Sequence, residues 1–312
     1  MTEIFRRNAW IVGLVALLAV LLVITKLIQP SFGASGLESI ARAALPFAFA
    51  TAGMAVVVIV GGIDLSVASM MAVCAVTAAV LMEKVAGVPA ILMVLALGSL
   101  MGLINGALIV LTRVPDIVVT LAMLFVWEGA ALLILETPGG STTSWLQQGI
   151  RGSLVPGVPN ALAIMAICIA TVWLPIRRSK LGISIYATGS DERAAFRSGV
   201  AVGRVKIAAY GICGLFCALG GLSLAALTGI GEPVPGPYLL ASVAAVVLGG
   251  VVLGGGRGTL LGPIIAVFIL RIVRTILTLL AVDPNVTTII EGTIMVGVVM
   301  LGTVVTLRGA RR

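Results

Sequence analysis

The chain has 312 residues, 60% of them hydrophobic and only 10% charged, where a soluble domain carries about 25% charged residues; with a mean hydropathy of +1.22, its expected solvent is lipid. The 38 glycines and few aromatics suit closely packed transmembrane helices, and long unbroken apolar runs exclude a membrane β-barrel, whose strands alternate. The absence of histidine removes the commonest acid–base catalyst, and Cys74, Cys168, Cys213 and Cys217, all inside apolar runs, read as small hydrophobes.

A helix needs about 20 apolar residues to cross the bilayer. Ten runs qualify as expected spans, at 10–28, 40–60, 65–82, 88–111, 115–136, 159–176, 207–229, 239–254, 259–281 and 286–306. The first follows Arg6 and Arg7, as a signal peptide would, but its length and the nine later spans favour a retained first helix. With the N-terminus inside, Arg6, Arg7, Arg113, Arg177, Arg178, Lys180, Arg193, Arg197, Arg204, Lys206, Arg257, Arg308, Arg311 and Arg312 fall on the cytoplasmic side. Lys26, Arg42, Lys84 and Arg151 fall outside, and Arg271 and Arg274 lie within the ninth span. That is 14 against 4 with 2 in the membrane, accounting for all 20 basic residues. The positive-inside rule fixes this orientation and puts both termini in the cytoplasm. The net charge of +8 is then topology and not a nucleic-acid footprint. The expected fold is an all-α integral membrane protein, one polytopic transmembrane domain over 1–312, with residues 177–206 as its main cytoplasmic loop.

Several stretches stand out in chain order. Gly61-Gly62-Ile63-Asp64 breaks the helical pattern. Asp64, with Ser66, either caps the third helix or lines a polar cavity at a broken helix. Asn105 lies between Gly102 and Gly106, whose spacing makes a helix-packing face; an interhelical hydrogen bond and solute contact are both open to it. Glu128 follows Trp127, a pairing suited to stacking a sugar face but also to a membrane interface. The outer stretch 137–158 and the proline-rich Glu232–Tyr238 read as loops. Charges at membrane depth are costly and mark functional or paired positions. Arg271 and Arg274 share a helix face, and Glu128 or Glu291 could pair with them or line a path.

The loop 177–206 reads RRSKLGISIYATGSDERAAFRSGVAVGRVK. Ser190-Asp191-Glu192 ahead of 193–197 predicts a short capped helix, acidic at its start, basic at its end and closed by Gly199. Such a helix is either a handle for another protein or a solvated basic loop.

Here the sequence resembles the ribose-type permease family of ATP-binding-cassette importers. The matching positions in the loop are Gly182, Tyr186, Ala187, Gly189, Ala194, Ala195 and Gly199, with Asp191 in the same segment. Gly61–Val67, the Gly102–Gly106 segment and Ala244–Gly250 with Gly254–Thr259 are similar to three further family stretches, in the expected order. The resemblance implies that 182–199 docks on a separate cytoplasmic ATPase; the residue chemistry above makes Asp64, Ser66, Asn105, Trp127, Glu128, Arg271, Arg274 and Glu291 the translocation-path candidates. The resemblance also implies a periplasmic solute-binding protein, a second permease chain (a copy or a similar partner), location in the bacterial inner membrane, and a small sugar or polyol as solute. Pro115-Asp116, Glu128-Gly129, Leu239 and Ala241 depart from the family's pattern on the expected pathway helices.

The chain has no phosphate loop: Gly254–Thr259 is glycine-rich but lacks the Lys-Ser/Thr pair. ATP is therefore expected to be handled by a partner, with no cofactor, metal or catalytic residue in this chain. Importers for nucleosides or branched-chain amino acids are the alternative within the family. An ion-coupled secondary transporter recruiting Asp64, Glu128 or Glu291 is the alternative outside it.

Overall fold

The structure, a computed structural model, describes residues 9–310 apart from Ala86, Pro156 and Pro235. Arg6, Arg7, Arg311 and Arg312 of the charge assignment lie outside the described residues, as does the Arg308 side chain.

The described residues form an all-α polytopic bundle. Its long helices are α1 (Ala9–Ile28), α2 (Ala34–Val60), α3 (Val67–Lys84), α4 (Val88–Thr112) and α5 (Asp116–Ile134). Helix α6 (Ser144–Arg151) and the hairpin β1 (Ser153–Val155) and β2 (Val158–Pro159) precede α7 (Asn160–Arg178), α8 (Lys180–Ser190) and α9 (Glu192–Arg197). The chain ends with α10 (Val202–Thr228), α11 (Tyr238–Leu248), α12 (Leu261–Leu279) and α13 (Pro284–Ala310). Among the described residues, α1–α5, α7, α10 and α12 are eight helices long and apolar enough to cross a membrane.

Each of the ten expected spans coincides with a helix, with three differences of substance. The eighth, expected over 239–254, is helical only to Leu248. Eleven residues rise about 16 Å, half of the roughly 30 Å hydrocarbon core. There Gly249 packs its backbone directly on Pro263, leaving no room for a side chain, and the chain turns back through Gly250 at φ +82°. The stretch 137–158 is not simply a loop, because it folds into α6 and the hairpin, in which Ser153 pairs with Pro159 and Val155 with Val158. The 177–206 loop contains two helices, α8 and α9, where the sequence showed only the second.

Small residues set the packing. On α4, Gly98, Gly102 and Gly106 lie directly on α10; a Cβ at Gly102 would sit 3.0 Å from Gly214 N, and one at Gly106 2.8 Å from Ile207 Cα. On the other side of α10, Gly221 leaves its Cβ space to Ala75 N at 2.9 Å on α3, and Gly53 of α2 leaves its own to Cys213 O at 3.0 Å. Lipid-like surroundings give helices little hydrophobic reason to associate, so close backbone approach supplies dispersion instead. Helix α2 is the hub, almost wholly buried, whereas α1 is largely exposed and lies along α12. Trp10 of α1 donates its indole N–H to Leu248 O at 3.0 Å, satisfying a carbonyl at the end of the short α11.

Alternating helices bring Arg113, Arg177, Arg178, Arg193, Arg197, Arg204, Lys206 and Arg257 to one end of the bundle, here called the basic end. At the opposite end the two outer segments are tied together, Gly139 N donating to Gly231 O at 3.1 Å and Gly231 N to Gly139 O at 2.8 Å.

Candidate functional site

At the basic end three glycine-bearing segments far apart in sequence meet without side chains between them. Ser179 caps α8, its hydroxyl accepting from Gly182 N at 3.4 Å. Gly182 packs on the end of α7, where a Cβ would meet Arg177 Cα at 2.7 Å. In the last turn of α8, Gly189 lies against Ile59 at the end of α2 and against Gly256 N, at 2.5 Å from where its Cβ would be. Gly256 N in turn donates to Ile59 O at 2.8 Å. Gly255 and Gly256 have φ of +84° and +70°, a region that L side chains avoid. Tyr186 donates to Gly258 O at 2.9 Å. Burial pushes its phenol above the ordinary range, against the lowering effect of nearby Arg177, so it stays a donor.

Helix α9 stands on this platform. Asp191 caps it, accepting from Ala194 N at 2.9 Å; its own N–H goes to Ala187 O at 3.2 Å. Ala195 is buried, Ala194 is exposed, and Gly199 turns the chain at φ +84°. Glu192 pairs with Lys206 at 2.8 Å, fastening α9 to α10. The face turned away from the bundle carries Arg193, Phe196 and Arg197, with Phe196 70% exposed. Sequence reasoning passed over Phe196. Its signal was an aromatic residue between two arginines in an otherwise polar loop.

Above the platform lies a buried polar cluster. Asp64 Oδ1 accepts from Ser66 N at 2.9 Å and from Ser66 Oγ at 2.6 Å. The N-cap position of α3 is held by Ser66, so Asp64 does not occupy it; it closes an Asx-type turn leading into the helix. Asn105 donates to Ser66 Oγ at 2.7 Å and accepts from Trp127 Nε1 at 3.2 Å. Asp64, Ser66 and Asn105 are fully buried, and Asp64 Oδ2 has no hydrogen-bond partner among the described residues. Alongside, Tyr210 donates to Asp116 Oδ2 at 3.0 Å. Both groups close over Gly62, where a Cβ would lie 2.6 Å from the Tyr210 hydroxyl. Asp116 was noted in the sequence only as a departure, and Tyr210 not at all, because it sits inside an apolar run.

The remaining candidates lie elsewhere. Helix α12 starts near the platform side, so Arg271 falls near its middle and Arg274 one turn further toward the other end. The Arg271 guanidinium lies 5.3 Å from the Phe47 ring centroid and 6.0 Å from that of Tyr238. Arg274 pairs with Glu291 at 3.6 Å. Glu128 is half-buried on α5 and has no ion pair among the described residues. The structure thus joins Asp64, Ser66, Asn105 and Trp127 in one network, gathers Arg271, Arg274 and Glu291 in another, and leaves Glu128 apart.

A multi-pass bundle with a buried polar centre and a helical segment on its basic end is the architecture of a membrane transport scaffold. By comparison with known proteins, the chain belongs to the family described as "Branched-chain amino acid transport system / permease component", which matches residues 36–299. It is 31% identical to the ribose import permease protein RbsC of Escherichia coli (strain K12), over 94% of this chain and 94% of that protein. It is 32% identical to the autoinducer 2 import system permease protein LsrD of the same strain, over 94% of this chain and 92% of that protein. No solved structure matches it significantly.

Proposed function

We propose that this chain is the membrane-spanning subunit of an ATP-binding-cassette importer for a small sugar or polyol in a bacterial inner membrane. The observation that carries this reading is the platform. Helix α8 rests by its backbone on α2 and on the 254–258 loop, while α9 offers an aromatic knob flanked by two arginines to the side where the positive-inside rule puts the cytoplasm. An ATPase subunit engaging that knob would move α8 and with it the end of α2, which leads through Gly61 and Asp64 into α3. The ribose in one relative's name supports the solute class.

In this reading the Asp64–Ser66–Asn105–Trp127 network is the hydrogen-bonded joint of the bundle on the pathway. A periplasmic binding protein delivers solute at the end where Gly139 and Gly231 join the outer segments, and a second permease chain completes the path. Solute is released because its affinity differs between the two arrangements of the bundle. The chain contributes binding and motion, and ATP hydrolysis belongs to the partner.

The test is co-expression with the ATPase and binding protein of the same source. A detergent-extracted complex whose ATP hydrolysis rises with sugar-loaded binding protein supports the proposal. A chain that purifies alone and transports in liposomes under an ion gradient overturns it.

A further inference from the structure

Two crevices flank the arginines of α12. One, of about 210 Å³, is bounded by Phe47, Tyr238, Leu270, Arg271, Arg274 and Glu291. The other, of about 440 Å³, presents Arg271 and Arg274 with the hydroxyls of Ser31, Ser35, Ser39, Thr275 and Thr278. Arg271 is the eleventh residue of the 19-residue α12, near the middle of a span. Its Nε is buried and has no hydrogen-bond partner, and no carboxylate pairs with it among the described residues. Around the two crevices stand two guanidinium groups and one carboxylate, Glu291, which Arg274 already engages.

The aromatic faces of Phe47 and Tyr238 are turned to the Arg271 guanidinium and hold it by cation–π attraction. They are therefore closed to stacking a sugar ring. A planar cation held in this way keeps its edge free for a planar anion, the geometry that favours carboxylate. An unbalanced cation at membrane depth is unfavourable until an anion joins it. The nearby hydroxyls suit a ligand rich in hydroxyl groups. An α-ammonium would need an unengaged carboxylate, which the lining does not offer.

We propose that Arg271 and the crevices beside it form a binding site for a polyhydroxy acid, a solute bearing one carboxylate and several hydroxyls. This rests on the importer reading and narrows its solute from neutral sugar to sugar acid. A lipid phosphate shares the anionic chemistry, so the test separates the two.

The purified chain, in nanodiscs of phosphatidylcholine alone, is titrated with gluconate against glucitol and with glucuronate against glucose, following the melting temperature. The expected result is a saturable rise with each acid and none with its neutral counterpart. Arg271→Gln weakens the acid response roughly ten- to hundredfold, as for a lost hydrogen bond to a charged group. Glu291→Gln, which releases Arg274, strengthens it. Equal responses to acid and neutral counterpart, no response to either, or an acid response unchanged in both variants overturns the proposal. Stabilisation by phosphatidylglycerol in place of the acids also overturns it, making the ligand a lipid headgroup. Failure to capture an ATPase would sink the importer reading whatever the acids do. A captured complex stimulated only by neutral sugar would leave the importer standing and remove the acid.

Discussion

Replacing Gly189 by alanine tests the platform directly. The added methyl has no room between Ile59 O and Gly256 N, and the neighbours are backbone atoms that cannot rotate away. Overpacking of this kind costs about 1–3 kcal/mol. Prising Gly256 N from Ile59 O, 2.8 Å apart, adds about 1 kcal/mol. The total of about 2–4 kcal/mol corresponds to roughly 30- to 1,000-fold in the equilibrium between seated and unseated α8. The outer face of α9 is untouched, so the ATPase should still bind. In proteoliposomes carrying the whole complex, ATP hydrolysis in Gly189→Ala should persist at its basal rate while its stimulation by loaded binding protein falls toward none. Gly129→Ala, where nothing lies within 4 Å of the new methyl, should behave as wild type. Stimulation in Gly189→Ala equal to wild type would refute the argument that α8 drives α2 through this contact.

Three further outcomes are expected. Phe196→Ala removes a side chain that is 70% exposed in the free chain; losing about 1.5–3 kcal/mol of burial on docking should weaken ATPase binding roughly 10- to 100-fold with an unchanged melting temperature. Asn105→Ala leaves the Trp127 N–H without its acceptor and removes the donor to Ser66 Oγ, which keeps its bond to Asp64; the cost of about 1–3 kcal/mol should lower the melting temperature in detergent. Gly102→Ala forces α4 away from the Tyr210 backbone and should destabilise by about 1–3 kcal/mol; a larger insert, Gly102→Leu, should abolish stable extraction from the membrane.

The bundle was legible because span length and apolarity are properties of single segments: every run of hydropathic residues became a helix. Truncation of α11 at Leu248 was not, because it goes with the close approach of Gly249, just past its end, to Pro263 of α12. Helix α8 was hidden for a related reason. Gly182 and Gly189 weaken a helix viewed alone, yet both are required where α8 meets α7 and α2. In the polar cluster, Asp64, Ser66 and Asn105 announced themselves as polar groups in apolar sequence. Tyr210 did not, since a phenol inside an apolar run looks like packing until its partner Asp116 is brought beside it, 94 residues away in the chain.

The meeting of residues 59–62, 186–190 and 254–258 also has a consequence for biogenesis. Ile59 emerges from the ribosome long before Gly256, so during synthesis the end of α2 and the seat of α8 stand open, with the Ile59 carbonyl lacking its Gly256 partner. The surface that α9 rests on is complete only once the chain beyond α11 has been inserted. A product stalled before residue 256 therefore carries an unseated α8, whereas one stalled later, within α12 or α13, already has the Gly256–Ile59 contact available to seat it.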